Sequence, residues 1–353
     1  RISYNNIAMI NFIKRHSVDM GKKKKDEEKG ESAQANEVMV EGDHEKTTVI
    51  KLTNGKGKEV SDKNESEDDP CEGLSFSVGV SESKNGKYRR TMEDVHTYVA
   101  NFCERLDWGY FAVFDGHAGK ASARWCGSHL HEVLQSAMLK EGDDHDGEGD
   151  SDDRDVREAI AESFAIADKQ LAGQTDVGNS GCTAAVAVLR WEEVEGESEE
   201  HEQERVRMLY TGNVGDSRLV LNRGGKPLRL SYEHKGSDTG EVRRIEQAGG
   251  LVLGGRVNGV LAVTRALGDT YVKEHVIGTP YTTATQLCPQ DRHLIIACDG
   301  LWDVCTDEEA VKLVEAQEAQ GAQAAAQRLV QRALEGGSCD NVTVMVVALR
   351  HHG

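Results

Sequence analysis

From Leu74 onward, apolar and polar positions alternate or run in blocks that predict strands. These are Leu74–Val80, Asp94–Val99, Gly109–Phe114, Cys182–Leu189, Arg205–Thr211, Arg218–Leu221, Leu228–Leu230, Leu251–Leu253, Leu294–Ala297 and Val342–Leu349. A spacing of three or four predicts helices over Ala118–Leu139, Val156–Leu171, Gly240–Ala248, Asp307–Ala319 and Gln323–Leu334. In the second of these, Val156, Ile160, Phe164, Ala167 and Leu171 mark one face. All four prolines lie outside the helices, as a residue without an N–H requires. Strands come in runs and helices in pairs, which argues for α+β layering rather than a regular βαβ wheel.

Residues 1–70 are polar and lysine-, glutamate- and glycine-rich, and are expected to be a disordered tail ahead of a domain spanning 71–353. Residues 1–18 lack acids, as transit peptides do, and read equally as a stretch preceding a start at Met9 or Met20. The 353 residues carry 42 Lys+Arg against 61 Asp+Glu, a net charge of −19. Glu141–Asp155 (nine acids, one arginine) and Glu192–Glu204 (eight acids, no Lys or Arg) contribute −8 each. Both read as solvated acidic loop insertions, with a docking surface for a basic segment as the alternative. Such a surface excludes general nucleic-acid binding, and no run approaches the roughly 18 apolar residues of a membrane span. The eight cysteines show neither a CxxC pair nor zinc-ligand spacing, which suits reduced thiols in the cytoplasm or nucleus.

Three carboxylates share one local setting. Asp115 and Asp299 each end an apolar strand and are followed by glycine, while Asp340-Asn341 immediately precedes one. Aspartate is a poor strand residue, and each alone reads as a turn or helix cap. Together with Glu93-Asp94 and with Asp216 they form a set whose like charges require a cation. Oxygen donors without cysteine or paired histidine favour Mg²⁺ or Mn²⁺, and a shared carboxylate can hold two ions about 3.5–4 Å apart.

The motifs Arg89-Arg-Thr-Met-Glu93-Asp94-Val-His96, Phe114-Asp115-Gly116-His117, Gly181-Cys-Thr183, Gly215-Asp216-Ser-Arg218, Val263-Thr-Arg265-Ala-Leu-Gly268-Asp269, Asp299-Gly300-Leu-Trp-Asp303 and Asp340-Asn341 resemble, in order, those of the metal-dependent type 2C serine/threonine protein phosphatases. The connecting segments Leu106–Phe111, Ser237-Asp-Thr and Gln247–Gly250 look most like the small fungal branch that acts on MAP-kinase pathways. The resemblance implies a four-layer αββα sandwich of two central antiparallel β-sheets flanked by helix pairs. It implies that Asp115 bridges two ions, with Gly116 offering its carbonyl and Asp299 and Asp340 completing the ligands. Glu93 and Asp94 then hold water at the ions, and Asp216 belongs to a weaker third position. Arg89 is placed to grip the substrate phosphate and His117 to act as general acid. Asp269 and Asp303 are read as structural turns and caps, and Cys298 as core packing. The implied partners are phosphoproteins, among them kinases of a stress pathway, met by a monomer that binds neither nucleic acid nor membrane. A catalytically silent scaffold of the same fold is the competing reading.

Overall fold

The computed structural model describes Cys71 and residues 73–139, 155–194 and 204–350. The expected tail 1–70 and most of both acidic insertions lie outside these residues. In chain order the strands are β1 Phe76–Ser83, β2 Val95–Ala100, β3 Gly109–Phe114, β4 Gly116–His117, β5 Gly181–Cys182, β6 Ala184–Val194, β7 Glu204–Val214, β8 Arg218–Arg223, β9 Lys226–Arg229, β10 Val252–Leu253, β11 Arg256–Val257, β12 Leu267–Gly268, β13 Tyr281–Gln286, β14 Asp291–Ala297 and β15 Val342–Leu349. The α-helices are α1 Ala121–Met138, α2 Val156–Ala172, α3 Thr239–Gln247, α4 Asp299–Trp302, α5 Asp307–Glu315 and α6 Gly321–Glu335.

Two antiparallel sheets of five strands, ordered β1-β15-β14-β8-β9 and β13-β7-β6-β3-β2, form the centre. Their central strands, such as β3, β14 and β15, are buried on both faces, because successive side chains point into different layers. Along β3, Phe111 and Val113 face the other sheet, where they join Phe76, Leu219, Ile296 and Met345. Tyr110, Ala112 and Phe114 face α1 and α2, packing with Leu130, Leu134, Ile160 and Phe164. On the opposite side Ile295, Val344 and Val346 pack against Val311, Ala326 and Leu329 of α5 and α6. The layers are therefore helix pair, sheet, sheet, helix pair, the αββα sandwich the family resemblance implied.

The differences from the sequence reading have local causes. The first helix begins at Ala121 rather than Ala118, because Ala118 and Gly119 have φ of +53° and +111°. The fourth predicted helix ends at Glu315, with a 3₁₀ turn at Glu318–Gln320 beyond it. β13 carried no hydrophobic signal: Tyr-Thr-Thr-Ala-Thr-Gln is an edge strand with mostly half-exposed or exposed side chains. Pro227 is tolerated in β9 because that strand is also an edge. The second acidic segment is not all loop. Glu192–Val194 extend β6, and Val194 pairs with Glu204 at the start of β7. Asp155, last residue of the first acidic segment, is the N-cap of α2 and accepts from the Arg157 N–H at 2.8 Å.

Phe111 meets Phe76 edge to face at 5.3 Å between the sheets. Phe111→Ala is expected to lower stability by about 3–5 kcal/mol, read as a lower urea midpoint with an unchanged slope.

Candidate metal centre

Antiparallel pairing gathers the carboxylates. β2 and β3 pair Val95 with Phe114, so Asp94, just before one strand, meets Asp115, just after the other. β14 and β15 pair Ala297 with Val344, which places Asp299 and Asp340 at the ends of neighbouring strands in the second sheet. Asp216 lies in the tight connection between β7 and β8, one strand from each sheet. Gly300 lets the two segments of the second sheet close, since a Cβ there would collide with the Asn341 carbonyl.

Carboxylate oxygens of Asp94 and Asp115 and the Cys298 sulfur lie within 4.8 Å of one another. Asp94 is buried, its Oδ2 accepts from the Thr343 hydroxyl at 2.7 Å, and its Oδ1 has no partner. Burial, offset in part by hydrogen bonds from Thr343 and Cys298 and reinforced by Asp340, lifts the Asp94 carboxyl to about 6. Burial likewise pushes Asp115 well above the ordinary carboxylate range, with Asp94, Asp299, Asp216 and Asp340 adding repulsion. Asp299 rises to about 8 through burial and then the charges of Asp216, Asp340 and Asp303. Asp216 is raised by burial against the pull of Lys235. An orphaned oxygen amid carboxyls that repel one another is a donor set suited to hard divalent cations.

The remaining predicted residues line the same end of the sandwich. Glu93 Oε2 accepts from the Gly119 N–H at 3.2 Å, and its own N–H donates to Asn341 Oδ1 at 3.0 Å. Gly116 packs against the Glu93 carbonyl, where a side chain would not fit. The half-exposed Arg89 guanidinium pairs with Asp340 and donates through Nε to the Cys339 carbonyl at 3.3 Å. His117 is 23% exposed, and its Nε2 lies 2.7 Å from Asp269 Oδ2. Cys298, read as a packing residue, is fully buried with its thiol pushed well up by burial, and its sulfur lies within 4.8 Å of carboxylate oxygens of both Asp94 and Asp115.

Three residues at this end were not among the sequence candidates. Lys235 Nζ lies 3.5 Å from Asp216, 3.4 Å from Asp303 and 3.6 Å from Glu233. Asp303 reads from the sequence as a turn or cap residue, although its place four positions after Asp299, across one helical turn, is a usable signal. Asp269 reads from the sequence in the same way. His129 and His131 behave as packing residues: His129 stacks on Trp125, while His131 is buried beside Tyr110 and held down to about 4 by desolvation.

A fold of this kind with acidic residues converging at one end of the paired sheets defines a class, the metal-dependent protein phosphatases. The protein phosphatase 2C family profile matches residues 78–342. The chain belongs to that family and is a protein serine/threonine phosphatase. It is 51% identical over 278 residues to Protein phosphatase 2C homolog 1 of Saccharomyces cerevisiae, covering 78% of this chain and 94% of the relative. It is 44% identical to the Schizosaccharomyces pombe protein of the same name, over 79% of this chain and 75% of the relative. These two likenesses put it in the family's fungal branch. Among solved structures, a Caenorhabditis elegans sex determining protein superposes with a TM-score of 0.63 at 26% identity, over 78% of this chain and 65% of that one. A Toxoplasma gondii phosphatase gives 0.62 at 23%, over 78% and 93%, a likeness of fold.

Without cations, the folded state keeps protons on Asp94 and Asp299 at pH values where the unfolded chain has released them. Their contribution to stability is complete below about 3.8 and is lost as pH rises through about 6 and about 8. Chelator-treated protein is therefore expected to melt at progressively lower temperature from pH 5 to pH 8. Adding Mn²⁺ at pH 8 should raise the midpoint again, because the ion offsets the carboxylate charge left as protons are released. A melting temperature that rises over that range would contradict the electrostatic account.

Proposed function

We propose that Asp115, Gly116, Asp299 and Asp340 hold two Mg²⁺ or Mn²⁺ ions and that Asp216 contributes to a weaker third position. The approach of Asp94 to Asp115 within 4.8 Å, beside the charges of Asp299, Asp340 and Asp216, is the observation that carries this reading. When bound, such ions make water a better nucleophile and screen phosphate charge. The protein side chains do the rest. Asp115 would hold the ions from the end of β3, and Glu93 and Asp94 would orient water from the segment before β2. Arg89 is tethered by Asp340 and the Cys339 carbonyl, and its exposed edge takes two phosphate oxygens. His117, partly exposed, protonates the seryl or threonyl oxygen as the phosphorus–oxygen bond breaks.

Residues 71–353 are read as the catalytic domain. The substrates are phosphoproteins, and the likeness of the connecting segments to the fungal branch supports kinases of a MAP-kinase stress pathway, with the enzyme as their negative regulator. The reading has a monomer acting in the cytoplasm or nucleus, and among the described residues no helix is long and apolar enough to cross a membrane. The presence of all the candidate carboxylates favours an active enzyme over a silent scaffold.

Two measurements test these assignments. Asp115→Asn is expected to lower turnover of p-nitrophenyl phosphate by about 10³-fold or more, the scale for a group that organises the reacting charge, and EDTA should match it in the unaltered enzyme. Persistent turnover in EDTA would refute the metal reading. His117→Ala should slow a phosphoserine peptide by about 10²-fold or more and p-nitrophenyl phosphate far less, because nitrophenolate leaves without a proton.

A further inference from the structure

Asp269 follows β12 and has no solvent exposure. Its Oδ1 has no hydrogen-bond partner, and its Oδ2 lies 2.7 Å from His117 Nε2. A carboxylate in such a place is costly unless its partner requires it. A cap or turn role does not account for it: Asp269 precedes the 3₁₀ turn Thr270–Val272, but its side chain makes no capping hydrogen bond there.

The surroundings hold this carboxylate against the imidazole. The small sheet β12-β5-β4 puts Gly268 opposite Gly181 and Gly181 opposite His117. Gly181 leaves the space open, since a Cβ there would run into the Asp269 carboxylate and His117 Nε2. The Asp269 N–H donates to the Ser180 carbonyl at 3.1 Å. One residue earlier, the Gly268 N–H donates to Asp168 Oδ1 at 2.9 Å, and Asp168 is paired with Lys273 at 3.0 Å. Asp269 sits at φ +47°, in the left-handed region that aspartate adopts more readily than most residues.

We infer that Asp269 is the positioning residue of His117: it accepts the Nε2 proton, fixes the ring's tautomer and orientation, and leaves Nδ1 as the nitrogen that serves the substrate. An ionised carboxylate only accepts, so a ring bonded to it through Nε2 carries hydrogen there. The inference deepens the reading of His117 as general acid and rests on it. As water oxygen bonds to phosphorus, the bond from phosphorus to the seryl oxygen breaks and its electron pair stays on that oxygen. The Nδ1 proton moves to it and the imidazole becomes neutral, still bonded to Asp269 through Nε2. The attacking water releases one proton to solvent and the ring regains its Nδ1 proton from solvent, so phosphoserine and water give serine and phosphate with no other reactant.

The test combines kinetics with nitrogen NMR on the Mg²⁺-loaded enzyme labelled at histidine. The neutral His117 ring is expected to carry its proton on Nε2 in the unaltered protein and to lose that preference in Asp269→Asn. Asp269→Asn should lower kcat on a phosphoserine peptide by about 10-fold or more, with KM little changed and p-nitrophenyl phosphate turnover within about twofold. The double variant His117→Ala/Asp269→Asn should be no slower than His117→Ala alone, because Asp269 acts through the ring. Equal losses on both substrates in Asp269→Asn, full additivity in the double variant, or a ring proton found on Nδ1 would each overturn the inference. Should Asp269→Asn fold poorly, the tautomer in the unaltered protein decides by itself. Equal losses on both substrates in His117→Ala would instead remove the acid role, and the delivery of a proton from Nδ1 with it.

Discussion

Carboxylates crowded at the end of a buried sandwich repel one another and lose hydration at the same time. Asp115 feels Asp94, Asp299, Asp216 and Asp340 together, and Asp94 retains an oxygen with no partner. A protein chain has two remedies for such a cluster, protons or cations. The raised carboxyls describe the first, and membership of a metal-dependent phosphatase family describes the second. The rest of the molecule serves to hold this cluster in place against its own repulsion.

The two-sheet core supplies the restraint. The central strands of each sheet are buried on both faces, so they cannot slide without moving apolar residues out of one layer or the other. Asp94 and Asp115 are one residue beyond a paired position in one sheet, and Asp299 and Asp340 lie just outside paired positions in the second. The candidate metal centre is thus carried on short turns anchored to buried strands. The neutralising groups around the rim, Lys235 near Asp216 and Arg89 on Asp340, limit the repulsion without filling the centre.

A second, smaller assembly stands beside it. The three-stranded sheet β12-β5-β4 ties the helix-packed layer to the loop carrying Asp269, and its register sets the distance between that carboxylate and His117. The core cluster and the histidine pair therefore share the β3 to β4 segment, with Asp115 and His117 two residues apart. The proposed metal ligand and the proposed proton donor thus lie on one continuous stretch of backbone, which couples their geometry.

The amino-acid order alone determined the α+β character, most strand and helix positions, and the candidate carboxylates. Apolar blocks such as Gly109–Phe114 and Val342–Leu349 have no other stable home than a two-sided sheet, and an aspartate beside each is conspicuous. Where side chains are polar, the pattern is silent: β13 is held by pairing with β7 rather than by an apolar face of its own. Tertiary structure alone decided which charges meet. Asp269 reads locally as a turn residue, and its partnership with His117 spans 152 positions of chain. Lys235 and Asp303 meet across 68, and Cys298 joins Asp94 through the pairing of distant strands. Local propensity registers what the backbone does near a residue, whereas electrostatic contact depends on which distant segments the buried sheets bring side by side.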